Sequence, residues 1–133
     1  MIFSMRPLKD LTENSEEREM SRKTTYFQYK LPSSVVNVVK CIIIDYNRRE
    51  GAIKHSAISG AVLERYIELN SAIDKGLSEI ETGIRTYMLE DIIKGVGYER
   101  SLVQSLLSKN AYYRRRRKLI YDIAVELSLL NKS

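Results

Sequence analysis

From Ile58 onward the apolar positions Val62, Tyr66, Leu69, Ile73, Leu77 and Ile80 recur every three or four residues, the spacing that lines one face of an α-helix. Such a stripe faces an intramolecular core or, as the alternative, the seam of a coiled-coil dimer. Thr82-Gly83 is expected to close it. Upstream, Pro32-Ser33-Ser34 reads as a helix start with a serine as N-cap ahead of Val35, Val36, Val38, Val39, Ile42, Ile43 and Tyr46. The run Val35 to Ile44 is rich in β-branched residues and suits a buried strand on propensity alone. Helix is preferred, because no second strand of comparable quality exists to pair with it, and the pattern then continues through Asp45–Glu50 to Gly51.

In the C-terminal third, Ile84, Tyr87, Met88 and Ile92 place an apolar face on a helix that Gly95 ends. A shorter helix starting near Tyr98 is expected to carry Leu102, Val103, Leu106 and Leu107 inward. After a turn at Leu107-Ser108-Lys109, with Ser108 as N-cap, the last helix runs from Lys109 to Leu130. Its apolar stripe is Tyr112, Leu119, Ile120, Ile123, Leu127 and Leu130, opposite Asn110, Arg114, Arg117, Lys118 and Tyr121. The prediction is an all-α fold, a small helical bundle over residues 25–133 ending in a helix-turn-helix unit at about 84–130.

Residues 1–24 have no apolar period and read as a flexible leader, within which Met20 offers an alternative start. Tyr26, Phe27, Tyr29 and Leu31 follow as a short aromatic cluster, expected to pack on the helices rather than to stack bases, since Lys30 is its lone cation.

Composition removes several classes of chemistry. One cysteine forms no internal disulfide; Cys41 lies in an apolar run and is expected to be a small buried thiol in a cytoplasmic protein. One cysteine and one histidine supply no usual zinc ligand set. His55, in the polar stretch Gly51–Gly60, reads as a solvated linker residue rather than a catalytic base. Gly95-Val96-Gly97-Tyr98-Glu99-Arg100 lacks the third glycine of a dinucleotide fingerprint and reads as a helix stop. Glu90-Asp91 and Glu79 with Glu81 read as solvated helix faces rather than a cation site. No apolar run reaches the roughly 18 residues of a membrane span. The expectation is a protein with no catalytic residues, cofactor, metal or membrane partner.

Charge adds what pattern cannot. The net charge is +5, yet residues 1–108 carry 15 basic and 15 acidic side chains, while residues 109–133 carry seven and two. The whole excess sits in the last 25 residues, most of it on the last helix. Five like charges in a row, Arg114 to Lys118, repel one another, and a phosphate backbone relieves that cost. Arginine pairs bidentately with phosphate or with guanine O6 and N7. Lys109, Asn110, Tyr113, Arg114, Arg115, Arg117 and Lys118 are therefore the candidate DNA-binding residues, with Asn110 suited to an adenine edge and Tyr113 to a phosphate or thymine methyl. Arg116 points to the core side and is expected to snorkel past the apolar stripe or reach phosphate from the flank.

Leu31-Pro32-Ser33 leading into VVNVVKCIIIDYNRRE (35–50), Glu64-Arg65-Tyr66 with Asn70-Ser71-Ala72-Ile73, and SKNAYYRRRRKLIYDIA (108–124) resemble the phage-encoded ArpU/RinA-type transcriptional regulators, activators of late genes in phages and prophages of Gram-positive bacteria. The likeness spans most of residues 26–130. The leader before Met20 has no counterpart, and the residues just before Ser108 depart from the family's turn. The resemblance implies a DNA-binding domain akin to the promoter-reading domain 4 of bacterial sigma factors, with Tyr113, Arg114, Arg115 and Arg117 on the recognition helix and Ser108 at its cap. A single helix-turn-helix buries too little interface for tight specific binding, so a homodimer on paired half-sites of double-stranded DNA is expected in the bacterial cytoplasm, with RNA polymerase as a further candidate partner. A small terminase-like DNA-packaging subunit and an RNA- or protein-binding bundle are the alternatives.

Overall fold

The computed structural model describes residues 29–130. The chain separates into Met1–Lys30 and Leu31–Ser133. The second unit contains α1 (Ser33–Ile44), α2 (Tyr46–Lys54), α3 (Gly60–Leu77), α4 (Thr82–Lys94), two 3₁₀ turns (Tyr98–Arg100 and Leu102–Ser105) and α5 (Lys109–Glu126). The described residues form an all-α bundle with no strand. Of the expected aromatic cluster, Tyr26 and Phe27 lie outside the described residues, Tyr29 stands in a turn, and Leu31 packs on the core.

The β-branched run is helical, and its burial follows the helical period: Val39 and Ile43 are fully buried, four residues apart. Cys41 lies two residues from each, on the outer side, so the thiol is exposed rather than buried. The α1 N-cap is Pro32, whose carbonyl accepts from the Val35 and Val36 amides at 3.0 and 3.1 Å. Ser33 and Ser34 fall inside the first turn, and no side chain caps it, contrary to the expected serine cap.

The apolar pattern hides a break. At Asp45 the backbone (φ −92°, ψ 8°) leaves the helical region, ending α1 and starting α2. The turned chain buries Arg49, which donates through Nε to Asn70 Oδ1 at 2.6 Å and through Nη2 to the Ile42 carbonyl. Asn70 in turn donates to Glu50 Oε2 at 2.8 Å and to the Tyr46 carbonyl at 3.2 Å. Tyr46 donates to Asp74 Oδ1 at 2.6 Å. Desolvation pushes the Arg49 guanidinium below its ordinary range, whereas the hydrogen bond from Arg48 holds Asp45 below the usual carboxylate range. This polar knot fastens the α1–α2 corner to the middle of α3. Gly51 lies inside α2, so the expected Gly51–Gly60 linker shrinks to the stretch around His55, which is exposed at the α2 C-cap.

The inner face of α3 carries Ala72, Ile73, Gly76 and Leu77, while Val62, placed in the stripe by its spacing, is exposed. A Cβ on Gly76 would stand 2.8 Å from Leu119 Cδ1, so the missing side chain is what lets α3 and α5 lie close. Ile73, Leu119 and Ile123 are buried with Met88 of α4 in one core, each such side chain contributing about 1.5–3 kcal/mol. The helix ends at Leu77, and Thr82-Gly83, expected to close it, instead open α4. Gly95 ends α4 in the left-handed region (φ 72°), with the Val96 amide returning to the Asp91 carbonyl at 2.9 Å.

Between α4 and α5 the expected short helix is replaced by the two 3₁₀ turns. Val103 is fully buried and Leu107 half-buried, but Leu102 and Leu106 face outward. Likewise α5 stops at Glu126 rather than Leu130, because Ser128 turns left-handed (φ 59°) and the Leu129 amide closes on the Ala124 carbonyl at 2.8 Å.

Candidate nucleic-acid interface

Helix α5 starts as its sequence dictates. Ser108 is extended (φ −73°, ψ 160°) and its Oγ accepts from the Ala111 amide at 3.2 Å. Four residues later the helix is anchored from within. Tyr112 is fully buried and donates to the buried Asp91 of α4 at 2.7 Å. Its hydroxyl also accepts from Arg116 Nη1 at 3.0 Å, and the same nitrogen donates to the Val96 carbonyl at 2.8 Å. Arg116 thus points coreward and its guanidinium ends on a backbone carbonyl at the exit of α4 and on the Tyr112 hydroxyl, rather than in solvent past the apolar stripe. Asp91 is no solvated face residue, because Tyr112 claims it.

Tyr113, a candidate for phosphate or thymine contact, binds its own chain. Its hydroxyl accepts from the Tyr98 amide at 3.0 Å, and Gly97 lets it do so: a Cβ there would stand 2.6 Å from that oxygen. The rings of Tyr98, Tyr112 and Tyr113 meet at 5.4 and 5.0 Å between centroids, a packing worth about 0.5–1.5 kcal/mol per pair. Tyr98 closes the loop by donating to the Leu107 carbonyl at 2.7 Å.

The cations divide in the same way. Arg115 makes a two-pronged contact with Glu81, at 2.8 Å from Nε and 2.6 Å from Nη2, which holds the Glu81 carboxyl down at about 2 and raises the guanidinium. Lys109 pairs with Glu99 at 2.5 Å, which lowers the acid and raises the amine. Lys118 reaches Asp122 at 2.7 Å along the helix. Asn110 and Arg114 are exposed and have no side-chain partner among the described residues, and Arg117 is half-buried beside them on the helix period. Of the seven candidate residues, Asn110, Arg114, Arg117 and Lys118 share the outward face; Lys109, Tyr113 and Arg115 are tied to the loop or to the start of α4.

The chain matches no known protein-family profile, no curated protein and no solved structure. Its function therefore rests on its own chemistry. Among the described residues no group of three His, Cys, Asp or Glu side chains is placed to hold a metal, and no helix is long and apolar enough to cross a membrane. A groove of about 300 Å³ between α3 and α5 is lined by Lys75, Glu79, Lys118, Tyr121 and Asp122. Acid and base alternate there, with Lys75 bound to Glu126 at 3.0 Å, so the groove neutralises its own charges.

The Tyr112–Asp91 bond has a measurable consequence. Burial, then the hydrogen bond to Asp91, pushes the Tyr112 hydroxyl up to about 12, from an ordinary tyrosine value of about 10. Folding thus favours the neutral phenol: its contribution is complete below about pH 10 and is lost as pH climbs through about 12. Tyr112→Phe orphans the buried carboxylate and should cost about 1–3 kcal/mol near neutrality. In thermal melts from pH 8 to 12, the wild-type advantage over this variant should shrink above pH 10; a constant difference contradicts the assignment.

Proposed function

We propose that the protein is a sequence-specific DNA-binding transcriptional regulator of phage or prophage genes, without enzymatic activity, whose helix α5 enters the major groove with its N-terminal turns. One observation carries this reading: the helix that holds most of the positive excess is capped and anchored on its inner side, while Asn110, Arg114, Arg117 and Lys118 share its outer face. A guanidinium held out from a rigid helix suits bidentate pairing with phosphate or guanine. In this reading α4, the 3₁₀ stretch and α5 act as the helix-turn-helix unit, and the likeness of residues 108–124 to ArpU/RinA-type regulators supplies the biological setting. One such unit buries little surface, so two copies on paired half-sites in the bacterial cytoplasm are the natural arrangement, with RNA polymerase as a further partner.

The test is selection of bound duplexes from a random pool with structured RNA as competitor. A regulator enriches a preferred, palindromic duplex that RNA does not displace. Enrichment of nothing overturns the proposal; displacement by RNA assigns α5 to an RNA-binding bundle, and a many-membered ring in solution assigns the chain to DNA packaging.

A further inference from the structure

We infer that Leu102 and Leu106 extend the DNA-facing surface with an apolar contact that reads thymine through its 5-methyl group, an inference that rests on the DNA-binding reading above. Leu102 is 75% exposed and Leu106 57%, the highest values among the exposed large apolar side chains of the described residues. Their exposure is enforced by the backbone. Gln104 Nε2 donates to the Tyr98 and Glu99 carbonyls at 2.9 and 2.5 Å, the Val103 amide donates to Ser101 Oγ at 3.2 Å, and Val103 between the two leucines is fully buried. The segment is therefore pinned with its valine inward and its leucines outward.

The charge around the pair selects the occupant. In sequence the leucines stand between Arg100 and the first turns of α5 bearing Asn110 and Arg114; Arg100 and Arg114 are exposed and without a partner among the described residues. Two exposed leucines with an exposed arginine on either side in sequence, and the Glu99 carboxylate beside them already neutralised by Lys109, complement a polyanion that presents apolar groups between its charges. The major groove does so, with the thymine methyl set between phosphate rows, and apolar side chains are its usual partners. Two leucines four residues apart offer contact with one or two such methyls.

The experiment uses the full chain and the duplex it enriches from a random pool, with deoxyuridine replacing each thymidine in turn, a change that removes the methyl and keeps the base pairing. At one or two positions uracil should weaken wild-type binding about fourfold per methyl lost, and the Leu102→Ala, Leu106→Ala double variant should bind the thymine duplex with that reduced affinity and no longer distinguish the bases. An enriched site without a preferred thymine, equal wild-type affinity for thymine and uracil duplexes, discrimination retained by the variant, or unchanged affinity in the variant each overturns the inference while leaving DNA binding standing. A chain that enriches no duplex overturns the underlying reading as well. The uracil series on the unmutated chain stays decisive even if the double variant does not fold.

Discussion

Alanine at both Arg114 and Arg117 is expected to lower the affinity of the chain for its selected duplex by about a hundredfold or more, with helicity unchanged. A well-placed arginine contact with a base or phosphate is worth about 1–3 kcal/mol, and two lost together reach a hundredfold once each is worth about 1.4 kcal/mol, in the lower half of that range. Helicity is kept for a separate reason. Arg114 is exposed, alanine is the best helix former, and removing two like charges three residues apart relieves repulsion on the helix surface. The comparison variant is Arg115→Ala. Its guanidinium is spent on Glu81, so it should weaken DNA binding far less. Titrations by fluorescence anisotropy with circular dichroism on the same samples separate the effects; equal losses in the double and single variants would mean that the outward face is assigned wrongly.

The second large effect lies far from α5. Arg49→Ala should destabilise the folded unit by about 3 kcal/mol, because it strips the buried Asn70 Oδ1 and the Ile42 carbonyl of their donor and leaves a cavity. For a unit of this size that corresponds to a fall of roughly 15 °C in melting temperature. Its neighbour provides the contrast. Arg48 is exposed, clasping Asp45 and donating to Tyr66 Oη at 3.1 Å from the surface, so Arg48→Ala should cost far less than Arg49→Ala. Urea denaturation of the two variants distinguishes a buried knot from a surface ion pair, and similar midpoints would contradict the role given to Arg49.

The helical class and the start of α5 could be read from the chain because they depend on local spacing and capping: Val39 with Ile43, Ile73 with Leu77, and Ser108 ahead of the basic run. The break at Asp45 was hidden because apolar residues continue across it, and what turns the chain there is Arg49 meeting Asn70, 21 residues away. Leu102 and Leu106 carried the same four-residue apolar spacing as true core positions, and only the pinned loop reveals that Val103 alone goes inward. On α5 the sequence marked a cluster of cations without ranking them. Arg115 meets Glu81 across 34 residues and Tyr113 meets the Tyr98 amide across 15, pairings that no helical wheel contains. The four residues left facing outward were among the seven candidates, and the anchors Tyr112 and Arg116 form the inner half of the same helix.

The most direct test of α5 as the binding surface is the salt dependence of duplex affinity. If its three outward cations displace counterions from three phosphates, the logarithm of the association constant falls linearly against the logarithm of salt concentration with a slope of about −3. In the Arg114→Ala, Arg117→Ala variant the slope should become shallower by about 2. An affinity flat in salt, or a slope unchanged by the double substitution, would contradict the account.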